Sequence, residues 1–313
     1  MFVMSRQYGL LLIFALAGQA QQATPEQETV FRAGVSVVRV DAQVVDGNRV
    51  VSGLMRADFR IFDEGQPQAI EYFARDTEPL WLLLLLDVSG SMRKRLEEMA
   101  AVGRKALRPL APGDHVGVMF FGRNTTVARE FTENAEDAAT ALGQASREKD
   151  VGSGTAINPS VISAANYVRE NVRNRPGRRA IMILTDNEGL NYQLRDETVL
   201  EALFSADAVL NAIVTPDAKP PSPAPAAANP DFTRSDVFKL ARESGGEVMK
   251  AERTGEAFQQ MIERIRTRYS LHYRSPEATP GAVRRIRVEL SPEVRRRFSR
   301  AEVRARTGYA VPK

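Results

Sequence analysis

The sequence predicts an α/β fold: a Rossmann-like, doubly wound, mostly parallel sheet, with a small accessory β module built from the flanking N- and C-terminal segments. Three observations carry this. Runs of strand length that are apolar almost throughout recur at residues 81–86, 116–121, 180–185 and 208–214. Helical periodicity fills the intervals, at 92–107, 136–147, 156–172, 196–205, 234–243 and 254–269. Strands that are apolar on both faces and alternate with amphipathic helices imply a parallel sheet covered on each side. The third observation is a change of period. Before residue 76 and after residue 269 the text turns to short apolar–polar alternation, the signature of half-buried strands.

At the amino end, Arg6 precedes the apolar stretch 10–17, and Gly18-Gln19-Ala20 places small residues at −3 and −1 of a cleavage site. This reads as a secretory signal over residues 1–20, cleaved after Ala20. Its apolar core is too short for a comfortable membrane span, and no later run approaches that length. An exported product with no transmembrane segment is expected, at the periplasm, the cell surface or outside the cell. Cysteine is absent, so neither disulfides nor a cysteine-linked lipid anchor is available to the mature chain.

A polar, flexible leader follows over 21–33, and a β module over 34–76. Residues 35–40 and 42–45 read as strands, Asp46-Gly47-Asn48 as a turn, and 49–51 as the return. Residues 59–62 and 69–73 alternate again, with Asp63-Glu64-Gly65 between them as a hairpin turn. The α/β domain is expected over 79–270, with a short edge strand at 124–129. Residues 216–230 are rich in proline and alanine and read as an exposed loop leaving the sheet on the edge that carries Asp87. A C-terminal β extension occupies 271–313, and the two β segments are expected to pair with each other.

Formal charge is +4, with Arg6 contributing one unit. The excess lies late in the chain, at Arg284, Arg285, Arg287, Arg295 to Arg297, Arg300, Arg304 and Arg306. These alternate with Ile286, Val288, Leu290 and Val303, which reads as solvated strand faces rather than a nucleic-acid surface. No nucleic-acid partner is expected.

The chemistry-bearing text is Leu82-Leu83-Leu84-Leu85-Leu86-Asp87-Val88-Ser89-Gly90-Ser91. A buried strand here delivers one carboxylate and two hydroxyls to its carboxyl edge, where ligands bind in open α/β sheets. Two other segments reach the same edge if the strands are parallel. Gly152-Ser153-Gly154-Thr155 is a glycine-rich loop ahead of a helix, and residues 181–184 form an apolar run that continues into Thr185 and Asp186. Asp87, Ser89, Ser91, Thr155 and Asp186 would then offer two carboxylates and three hydroxyls to one hard cation. Taken singly, Asp87 also reads as an acid at a helix N-terminus, and either serine as a cap.

Together these residues resemble the von Willebrand factor type A domain and its metal-ion-dependent adhesion site. The pattern is Asp-x-Ser-x-Ser after the first strand, a loop threonine, and an aspartate after a later strand; all five positions match, within a resemblance covering about residues 80–269. The flanking Asp58-Phe59, Asp63-Glu64-Gly65 and Arg304-Ala305-Arg306-Thr307-Gly308-Tyr309 look like bacterial exported VWFA-related proteins. The resemblance implies that Ser89, Ser91 and Thr155 coordinate Mg²⁺ (or Mn²⁺ or Ca²⁺) through hydroxyls, with Asp87 and Asp186 binding directly or through water. One coordination position would stay open for an Asp or Glu of a partner protein.

Catalysis has little support in the residues. His115 and His272 are far apart in sequence and read as strand residues, and no phosphate-binding loop ends in Gly-Lys-Ser/Thr. A non-enzymatic, metal-dependent protein-binding or adhesion module is the expectation. Two alternatives stay open: a metal-dependent hydrolase, for which Glu188 is the only nearby base, and an envelope protein whose metal is purely structural. Asn187 and Glu188 read as loop residues, and Asp114 as turn chemistry before a strand.

Overall fold

Side-chain alternation governs the first part of the chain in the computed structural model, which describes residues 37–75, 78–223, 228–229 and 231–312. The expected signal 1–20 and leader 21–33 lie outside the described residues. Strand β1 (Val37–Asp46) runs without a break through the described part of both expected short strands, residues 35 and 36 of the first lying outside the described residues. Val38, Val40, Ala42 and Val44 enter an apolar core on one side. The alternate residues Arg39, Asp41 and Gln43 face the α/β domain, where Arg39 pairs with Asp207 and Gln43 Nε2 donates to the Arg264 carbonyl. A strand clasped on both faces has no reason to end at Asp41.

The hairpin to β2 (Arg49–Val50) turns at Gly47, which has φ +62°. Strand β3 (Phe59–Asp63) turns through Glu64 and Gly65, both with positive φ, into β4 (Gln66–Gln68). This corrects the expected partner. A two-residue turn sets Asp63 opposite Gln66, so the return strand is 66–68 and not 69–73. Strand β5 (Tyr72–Arg75) goes instead to the other accessory sheet.

The α/β domain is built on β6 (Leu80–Asp87), every residue of which is buried. Leu82, Leu84 and Leu86 pack with α1 (Arg93–Ala106) and α2 (Ala135–Gln144). Trp81, Leu83 and Leu85 pack on the opposite face with α3 (Ile157–Val172). Apolar layers on both sides explain why the run does not alternate. Between α1 and α2 come β7 (His115–Phe121) and β8 (Thr125–Thr132). After α3 come β9 (Arg178–Thr185), β10 (Leu190–Tyr192), α4 (Asp196–Ser205), β11 (Ala208–Val214) and β12 (Phe232–Arg234). Then follow α5 (Val237–Ser244), β13 (Val248–Lys250) and α6 (Thr254–Arg266). The sheet order is β13-β11-β9-β6-β7-β8, parallel except for β8.

At two helix ends the structure puts a strand where the sequence reads as helix. Residue 234 lies in β12, paired to β10, and α5 starts only after Asp236, whose Oδ1 accepts from Lys239 N at 3.0 Å. Helix α6 stops at Arg266, and Tyr269 opens β14 (Tyr269–Arg274).

The last segment supplies β15 (Val283–Leu290), α7 (Pro292–Arg297), β16 (Ala301–Arg304) and β17 (Gly308–Ala310). The two flanks interleave. One sheet runs β16-β1-β14-β5 with β2 on β1, the other β17-β15-β3-β4. Phe59, Ile61, Leu271, Tyr273 and Ile286 fill the core between them.

The arginine-rich tail is not simply a set of solvated strand faces. Arg285 and Arg287 are exposed on β15 as expected, but Arg295, Arg296 and Arg297 lie on α7, capped by Ser291. Arg284 reaches the buried Asp63 at 2.7 Å, Arg304 pairs with Glu247, and Arg306 pairs with Asp207 at 2.8 Å. Period-two text places a residue on a face; it does not say whether another layer covers that face.

Candidate metal centre

The parallel sheet changes direction at β6. The chain leaves it for β7 on one side and later adds β9 on the other, so the loops after β6 and β9 diverge at a topological switch point. A crevice at the carboxyl ends of such strands is the usual ligand position. Asp87 ends β6, and Asp186 follows β9 directly.

Asp87 is fully buried. Its Oδ1 accepts from Ser89 N at 3.0 Å, which folds the following loop back over the strand end, and its Oδ2 accepts from Thr185 Oγ1 at 2.7 Å. Desolvation pushes this carboxyl up to about 6, against the lowering effect of the bonds from Thr185 and Ser89. Among the described residues neither Asp87 nor Asp186 forms an ion pair with Lys, Arg or His.

A chain of oxygens crosses the crevice. Ser89 Oγ lies 3.1 Å from Ser91 Oγ, and Ser91 Oγ donates to Asp186 Oδ2 at 2.6 Å. Asp186 Oδ1 accepts from the backbone N–H of Glu188 at 3.0 Å. Four of the five expected residues are therefore linked: Asp87 through the Ser89 backbone, then Ser89, Ser91 and Asp186.

Thr155 is the fifth. It is half-buried and makes no hydrogen bond to the other four among the described residues. Its loop is nevertheless tied to the same edge. Asn124 N donates to Val151 O and Ala156 N to Gly122 O, each at 2.8 Å, while Val88 N donates to Phe121 O at 2.9 Å. Gly122 makes this approach possible, because a Cβ there would stand 2.4 Å from the Gly152 carbonyl oxygen.

Three further residues shape the site. Thr185 holds Asp87 from below. Asn187, at φ +64°, donates through Nδ2 to Lys219 O at 3.0 Å and accepts at Oδ1 from Val237 N at 3.2 Å. It thereby fastens the start of the proline/alanine loop and α5 to the site; asparagine tolerates this left-handed conformation better than most residues. Gly122 is the third. The β-branched end of an apolar strand and the Asp-Asn pair after it were the available signals for Thr185 and Asn187. Gly122 had none, because its role depends on a loop thirty residues away.

The donors fit a hard divalent cation: carboxylate and hydroxyl oxygens, with no nitrogen or sulfur. Among the described residues no group of three or more His, Cys, Asp or Glu is placed to hold a metal, so the hydroxyls are essential to this set. Glu188 is exposed beside it. His115 is remote, at the start of β7, where it stacks on Trp81 at 3.8 Å, and His272 lies in β14. Close in sequence to Asp186, the β10–β12 ribbon exposes Leu190, Tyr192 and Phe232, the two aromatic rings 5.2 Å apart.

The sheet order, with helices on both faces, is that of a von Willebrand factor type A fold. Residues 82–189 match the family model described as the von Willebrand factor type A domain. Among curated proteins nothing matches. Solved structures with similarity include an aerotolerance-related membrane protein from Bacteroides fragilis, 21% identical, covering 59% of this chain and 98% of that one, at TM-score 0.45. A von Willebrand factor type A protein from Catenulispora acidiphila is 12% identical, covering 83% and 71%, at TM-score 0.44. Proximal thread matrix protein 1 from the mussel byssus, with a zinc-occupied MIDAS motif, is 13% identical, covering 66% and 50%, at TM-score 0.46.

Proposed function

We infer that this protein is an exported, metal-dependent protein-binding module. Ser89, Ser91 and Thr155 would hold a divalent cation through their hydroxyls, with Asp87 and Asp186 binding directly or through water. Mg²⁺ is the first choice, because it favours octahedral oxygen coordination and keeps several waters. Two carboxylates around a dication are few when one of them is also held by Thr185, so the site favours an anionic ligand. A partner's Asp or Glu is that ligand, and the bound cation supplies the charge that captures it.

The observation that carries this reading is the continuous oxygen path from Ser89 to Asp186 above a buried, unpaired Asp87. The exposed Leu190, Tyr192 and Phe232 add an apolar surface nearby, suited to a partner segment in which an apolar side chain accompanies the acid. Export rests on the amino-terminal signal pattern. Among the described residues no helix is long and apolar enough to cross a membrane.

Calorimetric titration of the mature protein with Mg²⁺ or Mn²⁺ tests the metal half. Saturable heat is expected in the native protein and none in the double variant Asp87→Ala, Asp186→Ala. Unchanged heat in the variant would remove the assigned site. Capture of envelope proteins on immobilised protein tests the partner half. Binding should be lost with EDTA and with Asp87→Ala, and EDTA-insensitive capture would contradict it.

A further inference from the structure

The opposite end of the parallel sheet, where the accessory β module meets the α/β domain, is crowded with charge. Arg39, Arg178, Arg179, Arg268 and Arg306 share this layer with Asp41, Glu78 and Asp207, five guanidinium groups against three carboxylates. Glu247 does not redress the excess, being held by Arg264 at 2.7 Å and by Arg304.

A small enclosed cavity of about 10 Å³ lies within this layer, lined by Asp41, Arg178, Arg179, Asn211 and Arg268 with Leu80 among its apolar walls. That is room for one water-sized guest. The polar lining is rich in donors that lack acceptors. Arg268, only 3% exposed, donates through Nη2 to the Gly245 carbonyl at 2.5 Å, while its Nε and Nη1 are buried without a partner. Asn211, 1% exposed, accepts at Oδ1 from Glu247 N at 3.3 Å, and its Nδ2 is unpartnered. The carboxylate in the lining, Asp41, is engaged by Ser270 Oγ at 3.1 Å and by Arg39 at 4.0 Å.

Leaving a buried guanidinium unpaired is costly. Burial lowers the Arg268 pKa to about 10, so the group stays charged at neutral pH. A single water accepts two hydrogen bonds and carries no charge. A halide accepts from several donors at once and offsets the cationic excess. Phosphate, sulfate and carboxylates are too large for the space.

We propose that this cavity binds one small monovalent anion, chloride, which joins the α6–β14 connection to β11 through Arg268 and Asn211. The ion is structural and lies at the sheet end remote from the metal centre. Removing the metal site therefore leaves it intact.

The test uses the full mature protein at constant ionic strength, with sodium gluconate replaced stepwise by sodium chloride. The melting temperature is expected to rise by about 3 °C with saturation, as for a ligand that binds only the folded state. A crystal grown in sodium bromide should show an anomalous peak bounded by Arg268 and Asn211. Asn211→Asp places a carboxylate oxygen where Nδ2 stood while keeping the acceptor for Glu247 N. It should abolish both the peak and the chloride dependence. A native bromide crystal with no peak in the cavity, or a melting temperature indifferent to chloride, overturns the proposal. So does Asn211→Asp retaining the native chloride response.

Discussion

At the scale of single residues, Asp87 combines complete burial with no cationic partner among the described residues, a combination that folding alone does not favour. Its pKa of about 6 lies above that of an unfolded aspartate near 4, so protonation favours the folded, metal-free protein. The Asp87 contribution to the stability of the metal-free form should therefore be fully present below about pH 4, fall as pH rises toward 6, and level off above that. Metal binding runs the other way and should weaken below pH 6, as protons compete for the same oxygens. Asp87→Asn should accordingly raise the stability of metal-free protein at pH 7 by about 2–3 kcal/mol and abolish its response to Mg²⁺. Thermal melts with and without Mg²⁺ across that pH range check both. The residue types and spacing of Asp87, Ser89, Ser91 and Asp186 were legible in the sequence, because each follows a strand whose end is marked by the change from apolar to polar text. The hydrogen bond from Thr185 to Asp87 was not, since it joins residues 98 positions apart.

At the scale of elements, the site depends on three loops held at one sheet edge, and the loop carrying Thr155 is held by backbone hydrogen bonds and by the buried Val151. Gly122 gives that loop room. Gly122→Ala should push residues 151–154 outward and weaken Mg²⁺ affinity by about tenfold, or about 1.4 kcal/mol, while leaving Asp87, Ser89, Ser91 and Asp186 in place. Calorimetry on the variant measures this, and unchanged affinity would show that Thr155 is not a ligand. Long periodic elements are the ones the sequence makes plain. Residues 196–205 form a helix with the bounds read from pattern, and residues 81–86 lie wholly within β6. Elements of three residues, such as β10, β12 and β13, carry too few side chains to show a period. The return strand 66–68, with its central Pro67, carries no strand signal either; only the two-residue turn before it specifies the pairing.

At the scale of the whole molecule, the flanks interleave into two sheets around their own core and clamp the base of the α/β domain. The arginines of the tail are the fasteners. Arg304 from β16 and Arg264 from α6 converge on the buried Glu247, whose carboxyl they hold below the usual glutamate range. Glu247→Ala should cost about 3 kcal/mol, because it leaves two guanidinium groups in this layer without their acid; chemical denaturation measures it. Pairing between segments some 230 residues apart leaves no local trace, so the alternation of each strand was readable while its neighbours were not. The expectation that the two flanks join each other came from their shared period and their position on either side of one domain. Which arginines the joining would bury came from neither.

The central claim is that Asp87, Ser89, Ser91, Thr155 and Asp186 hold a cation with a position left for a partner's carboxylate. An anomalous difference map from a crystal of the mature protein grown with Mn²⁺ tests it most directly. The expected result is a single strong peak within coordination distance of the Ser89, Ser91 and Thr155 hydroxyls, with a water or a neighbouring molecule's carboxylate on the outward side. A map with no peak at this edge, or a shell closed entirely by the protein's own side chains, would contradict it.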